Sequence, residues 1–259
     1  MVCSMRSCVI SLKTAFERRK HIEAQFFEHN VSFQFFDALT PDKAEVLARE
    51  IGLCYEEKRL TPGELACFMS HVALWKKMLD ENIPFMAIFE DDVYLGENAD
   101  LILNSSSWIA EDVEIIKLEA FSPKVIVGQK IDVNNTNRTI ASLQHKNLGT
   151  AGYLISKKAA QTYYNFVKDN PLIPLDEMMF EMFLKLKVMP IYQLIPAICI
   201  QEMNLYPDRK QSLPSDLTLE RKLRMKQFKK KGLAKIKVEL IRILIQIKFK
   251  FFAIDSSFK

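Results

Sequence analysis

Short, β-branched apolar runs alternate with segments of helical period through the first half of the chain, and this alternation restricts the fold more than any other feature. Residues 8–12 (CVISL) read as a buried strand, followed by a helix to about Asn30. Thr14 and Glu17 have the spacing of a capping box at its start. Residues 33–36 read as a second strand ending at Asp37, and Thr40 with Pro41 opens a helix that Gly52 closes. Thr61-Pro62-Gly63-Glu64 starts the next helix, which ends near Glu81. Residues 85–89 form an apolar strand running into Glu90-Asp91-Asp92, and Ile115, Ile116 and Leu118 mark another, with Lys117 between them. Residues 134–138 are a polar turn, residues 152–155 a short strand, and Ser156 caps a helix through Val167. Asp176 opens the apolar-periodic stretch 178–186, and residues 188–200 are extended, broken by Pro190 and Pro196. The pattern predicts an α/β protein with an open, mostly parallel sheet flanked by helices, in which ligands bind beyond the carboxyl ends of the strands.

Charge divides the chain. From Glu220 onward there are 13 Lys and Arg against 3 Asp and Glu, which leaves 23 against 29 in the rest. We therefore expect a domain over residues 1–215 and a basic amphipathic tail over 216–259, suited to an anionic surface. In the tail, Leu233, Ile236, Leu240, Leu244, Ile247 and Phe251 recur at helical steps, but Ile241, Ile243, Ile245, Ile247, Phe249 and Phe251 also alternate, so helix is favoured and strand stays open. Cys3, Cys8, Cys54, Cys67 and Cys199 are odd in number and lack metal-site spacing, which fits free thiols in a reducing compartment. The N-terminal apolar run is too short for a secretion signal, and no stretch of eighteen uncharged apolar residues exists. These readings point to a cytoplasmic enzyme, peripheral on a membrane.

Four stretches carry candidate chemistry. In IFEDDVYL, residues 88–95, three consecutive carboxylates end an apolar strand; a hard cation, Mn²⁺ or Mg²⁺, would relieve their repulsion, the plain alternative being an acidic turn. In LTPGELACFMSHVALW, residues 60–75, Glu64, Cys67 or Ser70, and His71 repeat on one helical face, where His71 alone reads more readily as a core histidine. In NLGTAGYLISKKAA, residues 147–160, Gly149 and Gly152 permit close backbone approach to a ligand or simply make a turn. In PLIPLDEMMF, residues 171–180, Asp176 and Glu177 stand at a helix start, as a cap or as a general base.

Taken in order, CVISL with Arg18-Arg19, LTPGELACFMSH, FEDDV, GTAGYLIS and PLD resemble glycosyltransferase family 25, the bacterial lipooligosaccharide galactosyl- and glucosyltransferases, over about residues 6–205. The resemblance implies a GT-A-like fold, a UDP-hexose donor, galactose before glucose, a divalent metal and an inverting transfer to a lipooligosaccharide or lipopolysaccharide core. It places Glu90, Asp91 and Asp92 at the metal motif, with Asp92 the foremost ligand and Glu where Asp is commoner at the first place. It places Leu12 and Arg18 at the donor-binding first strand and helix, and Asp176, with Glu177 beside it, at the acceptor-activating carboxylate. Arg19, Ser70, His71, Lys117, Gly149, Thr150 and Gly152 complete the candidate donor site. A glycolipid acceptor implies the anionic inner leaflet as the tail's partner, and the acidic body opposes nucleic acid. Two rivals are a metal-dependent phosphohydrolase or nucleotidyltransferase on the same carboxylates, and a non-enzymatic nucleic-acid-binding protein built on the tail, where Phe228, Phe249 and Phe251 interleave with basic residues.

Overall fold

The computed structural model describes residues 5–56, 59–209, 212–213 and 233–259. Cys3, Phe228 and the expected boundary at 215/216 lie outside the described residues, as do the side chains of Leu233, Ile236 and Leu240. In chain order the elements are β1 Arg6–Ser11, α1 Phe16–Glu28, β2 Gln34–Asp37, α2 Pro41–Glu50, α3 Pro62–Asp80, β3 Phe85–Glu90, β4 Val93–Leu95, α4 Ala99–Leu103 and β5 Ile115–Lys117. Then come β6 Lys124–Val133, β7 Arg138–Leu143, β8 Gly152–Ser156, α5 Lys157–Asp169 and α6 Leu175–Glu177, which continues through a π-helical turn, Met178–Met182, into α7 Phe183–Leu186. β9 Tyr192–Ile195, β10 Cys199–Gln201, α8 Glu202–Leu205, α9 Leu233–Phe252 and β11 Ala253–Asp255 complete the chain.

Nine strands form one open sheet in the order β11-β6-β7-β9-β5-β8-β3-β1-β2. Six of them point the same way as β1, while β8, β7 and β11 run against them. Neighbours are therefore parallel at β1–β2, β1–β3 and β5–β9 and antiparallel at the other five pairings. The fold class is the open α/β sheet with helices on its faces. One core packs α2, α3, α5 and the π-turn segment on one side of the sheet around Phe68, Trp75, Tyr163 and Phe180. The other packs α1 and α4 on the opposite side around Phe26, Phe89 and Ile102. Each fully buried Phe among these contributes about 1.5–3 kcal/mol through apolar burial.

Local chemistry explains where the helices begin. Thr61 accepts the Glu64 N–H and Glu64 accepts the Thr61 N–H, so the capping box of α3 is complete. Ser156 caps α5 by accepting from the Ala159 N–H at 3.0 Å. The Thr14–Glu17 box does not form: α1 starts at Phe16 behind Ala15, because the chain first closes a turn in which the Ala15 N–H reaches the Leu12 carbonyl.

The hairpin of β6 and β7 around the 134–137 turn did not show in the hydrophobic pattern, since much of β6 is exposed and charged. The tail is helical over α9, then reverses into β11, which pairs antiparallel with β6. Its last residues are tied to the body. Arg138, expected only as the end of a turn, is buried and donates to the carbonyls of Pro196, Glu97 and Lys259. Among the described residues no helix is long and apolar enough to cross a membrane.

Candidate active site

The chain leaves β1 for β2 on one side and reaches β3 on the other, so the connection reverses between β1 and β3. Such a reversal opens a crevice at the carboxyl ends of the two strands. Ile10 pairs with Glu90, so Ser11, Leu12 and the triplet Glu90-Asp91-Asp92 emerge together.

The three carboxylates have different partners. Thr150 Oγ1 donates to Glu90 Oε1 at 2.8 Å, and Gln201 Nε2 lies 3.4 Å from Glu90 Oε2. Arg18, in the first turn of α1, makes a close ion pair with Asp91, while its other terminal nitrogen stands 3.9 Å from Asp92. Gln201 Nε2 faces both oxygens of Asp92, at 3.1 and 3.2 Å. Burial raises the Asp92 carboxyl above its ordinary range, against the pull of Arg18 and the Gln201 bond. Burial works against the Arg18 charge, but Asp91 and Asp92 outweigh it and hold the guanidinium above its usual value. Among the described residues, Arg18 is the guanidinium that Asp91 and Asp92 share. Oxygen ligands of this kind suit a hard divalent cation such as Mn²⁺ or Mg²⁺, although among the described residues the three carboxylates do not bring one oxygen each within 4.8 Å of one another.

The segment at residues 212–213 crosses beside this cluster. Leu213 O accepts from Arg18 Nη2 at 3.0 Å. Glu202 accepts the N–H groups of Ser212 and Leu213 at 3.0 and 2.7 Å, and the Ser212 hydroxyl donates to it as well. Burial opposes the Glu202 charge, but these hydrogen bonds prevail and hold its carboxyl below its ordinary range.

The model of glycosyltransferase family 25, described as an LPS biosynthesis protein family, matches residues 5–179, more than half of the chain. That stretch contains the crevice, Arg18 and all three carboxylates. The chain belongs to glycosyltransferase family 25. Among its relatives, the lacto-N-neotetraose biosynthesis glycosyltransferase LgtB of Neisseria meningitidis serogroup B is 37% identical over 94% of this chain and 93% of its own. LgtE of the same organism is 38% identical over 84% and 82%. The lipooligosaccharide biosynthesis protein lic2B of Haemophilus influenzae is 38% identical over 90% and 89%. A solved glycosyltransferase involved in glycosylation of the PBCV-1 major capsid aligns at a TM-score of 0.42 and 8% identity, covering 77% of this chain and 92% of that one; so loose a likeness carries no argument.

Within this family-25 glycosyltransferase the candidate residues separate into groups. Leu12 is partly exposed at the end of β1, and its carbonyl accepts from Arg19 Nε at 3.2 Å. Arg19 also pairs with Asp37, and that hydrogen bond is the main reason the Asp37 carboxyl lies below its ordinary range. Thr150 reaches the cluster directly through Glu90. Ser70 is wholly buried and ties α3 to the loop after β2 by accepting the Leu39 N–H at 2.9 Å. His71 is buried against Tyr153, and burial pulls its pKa down to about 3, so the ring is neutral.

Lys117, placed by the sequence in the candidate donor site, is turned into the protein instead. It has no exposed surface and donates to Glu119 at 2.9 Å and to Gly149 O at 2.6 Å. Its side chain sits in the layer between the sheet and Phe180, where only a paired ammonium is tolerated. The two glycines also approach protein atoms. A Cβ on Gly149, whose φ is +87°, would stand 2.6 Å from Glu119 Oε2, and one on Gly152 would stand 2.2 Å from Cys199 Sγ. Asp176 lies in the first turn of α6, where its Oδ1 accepts the Glu177 N–H at 3.0 Å. Among the described residues neither a hydrogen bond nor an ion pair joins it to the Glu90–Asp92 cluster.

Gln201, Glu202 and Glu119 were not foreseen. Gln201 and Glu202 follow the apolar run before them, and only the pairing of β10 with β4 shows that this run ends beside Asp92. A cavity of about 460 Å³, lined by Gln129, Ser142, Gln144, Lys187 and Tyr192 among others, shares no lining residue with the carboxylates.

Proposed function

We propose that the protein transfers a hexose, galactose before glucose, from a UDP-sugar to a lipooligosaccharide or lipopolysaccharide core with inversion at the anomeric carbon. One observation carries this reading: three consecutive carboxylates, with Arg18 against Asp91, at the switch between β1 and β3, in a chain of this family. The named biosynthetic roles of LgtB, LgtE and lic2B support the acceptor class.

Asp92, with Glu90 and Asp91 beside it, would hold Mn²⁺ or Mg²⁺, which when bound neutralises the diphosphate of the leaving group. Thr150 and Gln201 fix the Glu90 and Asp92 carboxylates in place, so that little reorganisation is needed when donor enters. Arg18 adds charge-assisted contact at the mouth of the crevice. Asp176 accepts the proton of the acceptor hydroxyl as it attacks, with Glu177 beside it; the support is the matching motif and a half-buried carboxylate at a helix start.

The tail gives a reason for a membrane partner. Leu244, Phe251 and Phe252 are 66%, 72% and 65% exposed on α9, among Arg242, Lys248 and Lys250. Apolar side chains of this kind enter the headgroup region, and each basic residue near an anionic leaflet contributes about 1 kcal/mol. The reading places the enzyme at the cytoplasmic face of the inner membrane.

The test is turnover of UDP-galactose and UDP-glucose on lipooligosaccharide acceptors, with product linkage read by mass spectrometry and NMR. Asp176→Asn should lower transfer by about 10²–10⁴-fold and leave UDP binding intact. Normal transfer in that variant removes Asp176 from the role. Failure of both donors on every acceptor refutes the hexosyl reading.

A further inference from the structure

Beneath the crevice, α3 directs Cys67 and His71, four residues apart and so on one helical face, toward Glu90 at the end of β3. A ring nitrogen of His71, Cys67 Sγ and a Glu90 oxygen all lie within 4.8 Å of one another. His71 has no exposed surface, its Nδ1 is 2.8 Å from the Tyr153 hydroxyl, and among the described residues its Nε2 has no hydrogen-bond partner. A buried imidazole nitrogen without a partner is costly unless a ligand completes it.

We propose that Cys67, His71 and Glu90 form a binding site for a borderline-soft divalent cation, Zn²⁺, with its fourth position open. Thiolate and imidazole select Zn²⁺ over Mg²⁺ or Mn²⁺, which prefer oxygen alone. Bonds of about 2.3 Å to sulfur and about 2.0–2.2 Å to nitrogen and oxygen place tetrahedral ligands roughly 3.3–3.7 Å apart, so small side-chain rotations close this group around the ion. The surroundings already hold the ligands. With Nε2 on the metal, Nδ1–H donates to Tyr153, whose oxygen also accepts from Trp75 Nε1 at 3.1 Å, and Thr150 fixes one Glu90 oxygen. Cys67 is half-buried, which leaves an entry path. The inference rests on these three ligands and not on the donor reading, and its test contains no nucleotide.

The experiment is titration of the full chain with Co²⁺ in excess Mg²⁺, which occupies oxygen-only sites. One equivalent should develop a near-ultraviolet thiolate-to-cobalt band that Zn²⁺ bleaches. Cys67→Ser should abolish the band, and Glu90→Gln should keep it while weakening Co²⁺ binding at least about 10-fold. Cys54→Ser, which removes an exposed thiol, should change neither. Absence of the band in the unmodified chain, its survival in Cys67→Ser, or unchanged affinity in Glu90→Gln overturns the proposal.

Discussion

Asp92 and Glu119 are both buried carboxylates at the same end of the sheet, and the Asp92 charge helps raise the Glu119 carboxyl. Glu119 has a buried ammonium for its charge: Lys117 lies 2.9 Å from Oε2 with neither side chain exposed, and the Ala151 N–H adds a bond to the same oxygen at 3.2 Å, while Oε1 has no hydrogen-bond partner among the described residues. Asp92 shares Arg18 with Asp91, and its bonds come from a neutral amide. Burial raises both carboxyls. A carboxylate kept for structure is paired inside the protein. On the proposed reading Asp92 is the one kept for chemistry, its charge to be completed by what binds.

The contrast breaks at different places under different substitutions. Asp92→Asn should reduce sugar transfer on the order of 10³-fold, because a preorganised charge is lost at the reacting centre, while the protein stays folded; transfer within tenfold of normal would erase the distinction. Lys117→Met leaves Glu119 charged and alone in the core and should cost about 3–5 kcal/mol in denaturant unfolding. Replacing both, Lys117→Met with Glu119→Leu, should recover most of that loss. Gly149→Ala drives a Cβ into Glu119 at a left-handed backbone position and should cost about 1–3 kcal/mol.

The smallest effect concerns pH. The Asp92 carboxyl binds its proton more tightly in the folded chain than at its ordinary value of 3.8, so its ionisation subtracts stability as pH rises above that value. Asp92→Asn should therefore melt with the unmodified protein near pH 3.8. As pH rises from there toward the raised folded value it should melt increasingly higher, by about 2–4 °C per kcal/mol recovered, and the gap should level off above that value. A divalent cation should shrink that gap at neutral pH.

Much of this arrangement is legible in the sequence. The run before Glu90, the Thr61–Glu64 box and the Ser156 cap are local signals, and α3, β3 and α5 form where those signals stand. Burial was not legible. Lys117 sits in an apolar strand, and nothing local tells whether its ammonium faces a ligand or Glu119 two residues on. Gly152 reads as room for a ligand, whereas the atom that fills the space is Cys199, 47 residues away. Gln201 and Arg138 act through strand pairings of high sequence separation, which periodicity cannot show. The tail's helical and alternating patterns were both present, and the chain uses the helical one before it joins the sheet at β11.

On the proposed reading, Asp92 and its neighbours complete their charge with a cation carrying the donor's diphosphate. Anomalous diffraction from crystals grown with Mn²⁺ and UDP tests it most directly. The account predicts a manganese peak bonded to the Asp92 carboxylate and to the nucleotide's phosphates, with the diphosphate in the crevice between β1 and β3. Nucleotide bound elsewhere, or a diphosphate in that crevice with no manganese at Asp92, would contradict it.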